Sequence, residues 1–201
     1  MLLEADYIDG FVMACGMHCE LHGETVFQKN VEFDTVKKAV QYFCDKKRAC
    51  YFDGVAGRYG LHSTRPDFPS FDNYDELIAE LEKDQISKMT IPGNYREEDG
   101  TFFSDIFNVY DMGGWSDVIM QGITKATGMQ HILDRIGISQ KDSIGVGDGS
   151  NDLPMINYAG LGVAMGNAPE HVKAEADVVT ETCENDGVAV MIERYVIGDA
   201  I

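Results

Sequence analysis

The sequence predicts an α/β protein built on a Rossmann-like parallel sheet flanked by helices, and three observations predict it. The first is Ser143 to Asp152, SIGVGDGSND, where a short apolar run breaks into glycines and acids. A buried strand ending this way sets carboxylates at its C-terminal end, where open α/β sheets hold ligands. The second is alternation: apolar runs at Ile144–Val146, Gly162–Ala164 and Val178–Val179 are separated by helical patterns opening at Leu153 and Pro169. The third is the stretch 25–118, where strand-like runs alternate with two amphipathic helical patterns, giving a second α/β segment.

Taken in order, Tyr7 to Cys15 (YIDGFVMAC) reads as an Asp-Gly turn entering a buried strand. Cys15, His18, Cys19 and His22 have the spacing of a helical zinc site, but Gly16, Gly23 and Phe11-Val12 favour a strand, on which cysteines and histidines face opposite ways. Val26 to Phe33 is strand-like, and Asp34 is placed as cap of a helix carrying Val36, Ala39, Val40 and Phe43. Ala49–Phe52 is a strand followed by a hairpin turn, and Ser63 to Asn73 is a proline-punctuated loop. Tyr74 to Asp84 is an amphipathic helix; Ile86–Ile91, Phe107–Tyr110 and Trp115–Met120 are strands. Lys125 opens a helix with Met129, Ile132, Leu133 and Ile136 facing inward. Gly160 caps the helix after Asp152. Asn167 is placed as a helix cap, completed as a capping box by Glu170, and His171 as a structural side chain. Gly187 to Val196 forms a terminal helix.

The composition excludes several functions. The 201 residues carry 34 acidic and 16 basic side chains, a net charge of −18. Such a field repels nucleic acid and anionic membrane, and it repels a phosphorylated substrate unless a metal and a lysine reverse the sign locally. Five cysteines, an odd number without framework spacing, point to reduced thiols and a cytoplasmic setting. No apolar run reaches transmembrane length, and Met1-Leu2-Leu3-Glu4 is not a signal peptide.

Asp148, Asn151 and Asp152 on one tight turn make a hard oxygen site suited to Mg²⁺. The same residues read equally well, in isolation, as an N-cap and polar turn. Lys125 at a helix N-terminus opposes the helix dipole, so an anionic group beside it is expected. Gly160 to Gly166 has the wrong glycine spacing for a dinucleotide fingerprint and follows a helix. Arg58 and Arg65 are read as solvated, although either could meet an anionic ligand.

The order Gly122-Ile123-Thr124-Lys125, Gly147-Asp148-Gly149-Ser150-Asn151-Asp152 and Gly166-Asn167-Ala168 resembles the C-terminal half of the haloacid dehalogenase superfamily, in its Cof-like phosphatase branch. The resemblance implies a core of residues 1–24 and 119–201 with an inserted α/β cap at 25–118. Candidate specificity loops of that cap lie at Tyr59–Phe71 and Tyr95–Trp115. It also implies Mg²⁺-dependent hydrolysis of small phosphorylated metabolites through a phosphoaspartate. Asp148 would be a metal ligand, Asp152 a second ligand or one acting through water, Asn151 a phosphate binder, and Lys125 the positive charge. The family's DxDGT string, which holds the nucleophile, is absent, and Asp6 and Asp9 are spaced wrongly to replace it. The chain thus reads as a member beginning after its first two strands. It is expected to be inactive alone and to have a rearranged core or form a homo-oligomer. The rival is a non-catalytic phosphate- and metal-binding or assembly protein, with a NAD-dependent dehydrogenase a distant third.

Overall fold

The structure, a computed structural model, describes residues 8–93, 99 and 102–198. It is a mixed α/β protein of two units, Met1–Ile123 and Thr124–Ile201. The sequence-based division places 1–24 with 119–201, so the two divisions differ over the first residues.

The first unit opens with an antiparallel meander of β1 (Gly10–Met13), β2 (His18–Leu21) and β3 (Glu24–Gln28). Ala14, Cys15 and Gly16 all take positive φ (47°, 56° and 102°). This left-handed turn, costly for non-glycine residues, folds β1 back onto β2. The expected strand over Tyr7–Cys15 is therefore shorter (Tyr7 lies outside the described residues) and joins an antiparallel sheet, not the parallel one. Cys15 and Met17 enter the same core as the helices that follow.

Next come α1 (Phe33–Lys46), β4 (Cys50–Gly54), β5 (Arg58–Leu61), β6 (Ser70–Phe71) and α2 (Tyr74–Leu81). After them run β7 (Ile86–Pro92), β8 (Phe107–Asp111) and β9 (Trp115–Met120). The six strands order as β6-β5-β4-β7-β9-β8, antiparallel except for β5 with β6. Strand alternation sends Phe52, Met89, Ile91 and Val118 to one face, where they are fully buried with Val36, Ala39, Val40 and Phe43 of α1 and Leu77 and Leu81 of α2. Each such large side chain contributes about 1.5–3 kcal/mol through burial. The cap of α1 is Glu32, not Asp34; Asp34 sits in the first turn, where it pairs with Lys37 at 2.6 Å. Asn73 caps α2 as its side chain accepts from the Glu76 amide. Asp84 ties the β4–β5 hairpin down, accepting from the amides of Ala56 and Gly57 and the Tyr59 hydroxyl.

The second unit contains α3 (Lys125–Ile136), β10 (Ile144–Gly147), α4 (Leu153–Tyr158), β11 (Leu161–Ala164), α5 (Glu170–Lys173), β12 (Val178–Val179) and α6 (Gly187–Ile192). Its sheet, β10-β11-β12, is wholly parallel, as the apolar runs separated by helical patterns predict. Helix α4 lies so close that a Cβ on Gly162 would stand 2.3 Å from the Ile156 carbonyl oxygen. Thr124 and Thr127 form a reciprocal capping box at the start of α3, and Gly137 closes it at φ 71°. Leu133 is buried as expected, but Ile136 is 43% exposed, one turn too late to face inward. Among the described residues no helix is long and apolar enough to cross a membrane.

Candidate active site

Strand β10 ends at Gly147, and the chain turns through Asp148 and Gly149 into a 3-10 turn, Ser150–Asp152, before α4. Gly147 is required here, because a Cβ on it would sit 2.3 Å from the Asp152 Cβ. That close approach lets the Asp152 carboxylate fold back beneath the strand end. Its Oδ2 accepts from the Asp148 amide at 3.1 Å and the Gly149 amide at 3.0 Å, while Oδ1 accepts from Lys125 Nζ at 2.5 Å. Asp152 is 5% exposed, and the Lys125 side chain is half-buried. A buried carboxylate needs such partners, and the lysine's conflict with the dipole of α3 is offset by this anion.

Asp148 points the other way and is exposed. Its Oδ2 accepts from Asn167 Nδ2 at 3.0 Å, and Asn167 Oδ1 accepts from the Cys183 amide at 3.0 Å. Asn167 thus braces Asp148 against the loop after β12 and does not cap α5, whose cap position is Pro169 without a side-chain bond. His171 also reaches this turn, with Nε2 2.9 Å from Ser150 Oγ. The sequence placed both residues in the helix start. The signal for Asn167 was the GNA string itself, and local capping rules drew attention away from it. Asn151 is buried beside Asp152.

Lys125 and Asp152 are therefore in direct contact, and Asp152 holds the backbone of Asp148. The two carboxylates have unlike surroundings: Asp152 is engaged on both oxygens, whereas Asp148 offers an outward, hard oxygen donor of the kind Mg²⁺ takes. Among the described residues, no group of three or more His, Cys, Asp or Glu side chains is placed to hold a metal. The donor chemistry fits a magnesium ion bound by one carboxylate and completed by water and phosphate oxygens. It does not fit an all-protein cage.

The chain is 39% identical over 102 residues to the Bacillus subtilis 5-amino-6-(5-phospho-D-ribitylamino)uracil phosphatase YitU, covering 47% of this chain and 38% of that protein. It is 38% identical over 96 residues to the phosphoglycolate phosphatase of Methanopyrus kandleri, covering 48% and 41%. The matched region spans well under half the length of these curated relatives. Among solved structures, the sugar phosphatase BT4131 of HAD subclass IIB superposes with a TM-score of 0.83 at 25% identity, covering 98% of this chain and 79% of that one. A haloacid dehalogenase-like hydrolase from Bacteroides thetaiotaomicron gives 0.74 at 28% identity, covering 92% and 76%. A family profile described as haloacid dehalogenase-like hydrolase matches residues 3–192, and the chain belongs to that family, with Cof-like phosphatases as its counterparts.

Proposed function

We propose that this chain carries the phosphate- and metal-binding half of a phosphoric monoester hydrolase acting on small phosphorylated metabolites. In this reading residues 1–24 and 119–201 serve as the hydrolase core and 25–118 as its cap. The observation that carries it is the contact of Lys125 with Asp152 beneath an exposed Asp148 at the C-terminal end of β10. The Lys125 ammonium offsets charge where a phosphoryl oxygen would sit, and Asp152 holds it in place through Oδ1. Asp152 is thus a positioning residue, and Asn151 a phosphate hydrogen-bonding residue. Asp148, aimed by Asn167, is the residue that would hold Mg²⁺; the ion supplies charge neutralisation at the phosphoryl oxygens. The relatives' names support phosphorylated heterocycles, sugars and small acids as the substrate range.

No DxDGT string occurs in the 201 residues. With no carboxylate assigned to attack phosphorus, the chain alone is expected to bind Mg²⁺ and phosphate weakly and to turn nothing over. Titration calorimetry with Mg²⁺ should show weak binding that disappears in Asp148→Ala, and tight binding that survives the substitution would place the metal elsewhere. An assay with an activated aryl phosphate and Mg²⁺ should show no hydrolysis. Hydrolysis abolished by Asp148→Ala would show that another carboxylate serves as the nucleophile.

A further inference from the structure

Two residues of the short segment after β11 reach the turn that carries Asp148. The segment is anchored in the core: Ala168 is 4% exposed and Val172 fully buried, both packed with Ile156 of α4 and Ala164 of β11. Pro169, with φ at −59°, sets the entry into α5 between them. The residue before each buried one, Asn167 and His171, is exposed and meets the turn after β10. Asn167 Nδ2 donates to Asp148 Oδ2 at 3.0 Å, and His171 Nε2 stands 2.9 Å from Ser150 Oγ. Two pairs of residues, each four apart, thus run side by side. One pair is fixed in the core, and the other grips positions 148 and 150.

A different group holds each of these positions in the turn. Asp152 Oδ2 accepts from the amides of Asp148 and Gly149, Asn167 takes the Asp148 carboxylate, and His171 takes the Ser150 hydroxyl. Among the described residues His171 is the sole partner of that hydroxyl. A hydrogen bond between an exposed imidazole and a half-buried hydroxyl adds little to fold stability, because water competes for both groups. Its consequence is positional. Ser150 opens the 3-10 turn and directly precedes Asn151, so a hold on the Ser150 side chain restrains the peptide from which the Asn151 amide is aimed.

We propose that His171 is a positioning residue of the phosphate subsite. Through Ser150 it fixes the start of the 3-10 turn, and with it the direction in which Asn151 offers its side chain to a phosphoryl oxygen. This role rests on the reading of Lys125 and Asn151 as the phosphate-binding groups, and it extends that site to a residue that touches neither phosphate nor metal.

The full chain is titrated with inorganic phosphate in excess Mg²⁺, and amide hydrogen exchange of the turn is followed in parallel. His171→Ala should raise the half-saturating phosphate concentration about three- to tenfold at an unchanged melting temperature. It should also speed exchange of the Asp152 amide, which donates to the Gly149 carbonyl at 3.0 Å. Ser150→Ala should give the same loss of affinity, and the double variant no more than either single one, since both remove one contact. His171→Gln, whose side-chain amide nitrogen reaches about as far as the imidazole Nε2, should recover most of the native affinity. A histidine with only a structural role would lower the melting temperature and leave phosphate affinity unmoved. The proposal is overturned if His171→Ala binds phosphate as the native chain does while Lys125→Ala weakens binding, if the losses in the double variant add, or if His171→Gln recovers nothing. Failure of the underlying site reading looks different, because phosphate affinity then ignores Lys125→Ala.

Discussion

In the second unit one carboxylate, Asp152, gathers a lysine and two backbone amides within a single turn and the start of one helix. In the first unit Asp53 and Asp117 share Lys88 across strands joined only by the sheet, with Arg58 at one end of the row. The first arrangement concentrates its partners on one group, so removing that group strands them all. The second distributes charge, so the two ions in the middle of the row, Asp53 and Lys88, each have a second partner to fall back on. A concentrated site is rigid but brittle; a distributed one tolerates the loss of a member.

The largest expected effect follows from that contrast. Asp152→Ala leaves the Lys125 ammonium and the amides of Asp148 and Gly149 without their acceptor. Breaking a fully buried pair costs about 3–5 kcal/mol. Because Lys125 is partly exposed, about 2–4 kcal/mol is expected here. Urea unfolding followed by far-ultraviolet circular dichroism should show that loss, while the Trp115 emission of the first unit keeps its midpoint. A shift of both signals together would mean that the two units unfold as one.

Asp117→Ala tests the distributed arrangement. Lys88 loses its 2.9 Å partner but keeps Asp53 at 4.0 Å. A smaller loss of about 1–3 kcal/mol is therefore expected, read from Trp115 fluorescence in urea. A loss exceeding that of Asp152→Ala would refute the contrast.

Asp84 sharpens the comparison inside the first unit, because it resembles Asp152 in gathering several donors at one carboxylate. Burial pushes its carboxyl up, but the amides of Ala56, Gln85 and Gly57 and the Tyr59 hydroxyl together hold it below the usual carboxylate value. A folded-state value below the unfolded one stabilises the fold above the unfolded pKa. That contribution is lost as pH falls through the folded value. Asp84→Asn should therefore cost about 1 kcal/mol at neutral pH, discounted because the group is part-exposed. Denaturation curves for the variant and the unsubstituted chain should converge as pH drops below the carboxylate range.

Legibility in the sequence divides along the same line. The turn at Asp148–Asp152, the lysine at Lys125 and the parallel strands of the second unit were readable because their signals are local: glycines at close approaches, an apolar run of strand length, a helix start. Asn167 was misplaced because Asn167-Ala168-Pro169-Glu170 satisfies a capping pattern, and only tertiary contact with Asp148 and Cys183 decides otherwise. The β1 strand was misassigned because three successive left-handed residues, two of them not glycine, reverse the chain where composition gives no warning. Arg58 and Arg65 read as solvated side chains, since the ring of Phe68 and the charges of Asp53 and Asp67 reach them only through the hairpin and its loop. Cross-strand partners are set by register, which single-sequence periodicity leaves open.

The smallest expected change in stability, and the most informative about the candidate metal position, is Asn167→Asp. The native amide donates to Asp148 and accepts from Cys183 at the surface. An aspartate keeps the acceptor but replaces the donor with a second negative charge beside the first. Without metal this should destabilise the second unit by about 0.5–1 kcal/mol, since exposed like charges repel weakly and are screened by salt. With Mg²⁺ the sign should reverse, because the pair then offers two hard oxygen ligands where one stood before. Ligand binding to the folded state alone raises its stability. The measurement is the melting temperature of both proteins in chelator and in excess Mg²⁺. A magnesium-dependent rise larger in the variant than in the native chain places the ion at Asp148, and equal responses in the two would remove Asp148 from the metal assignment.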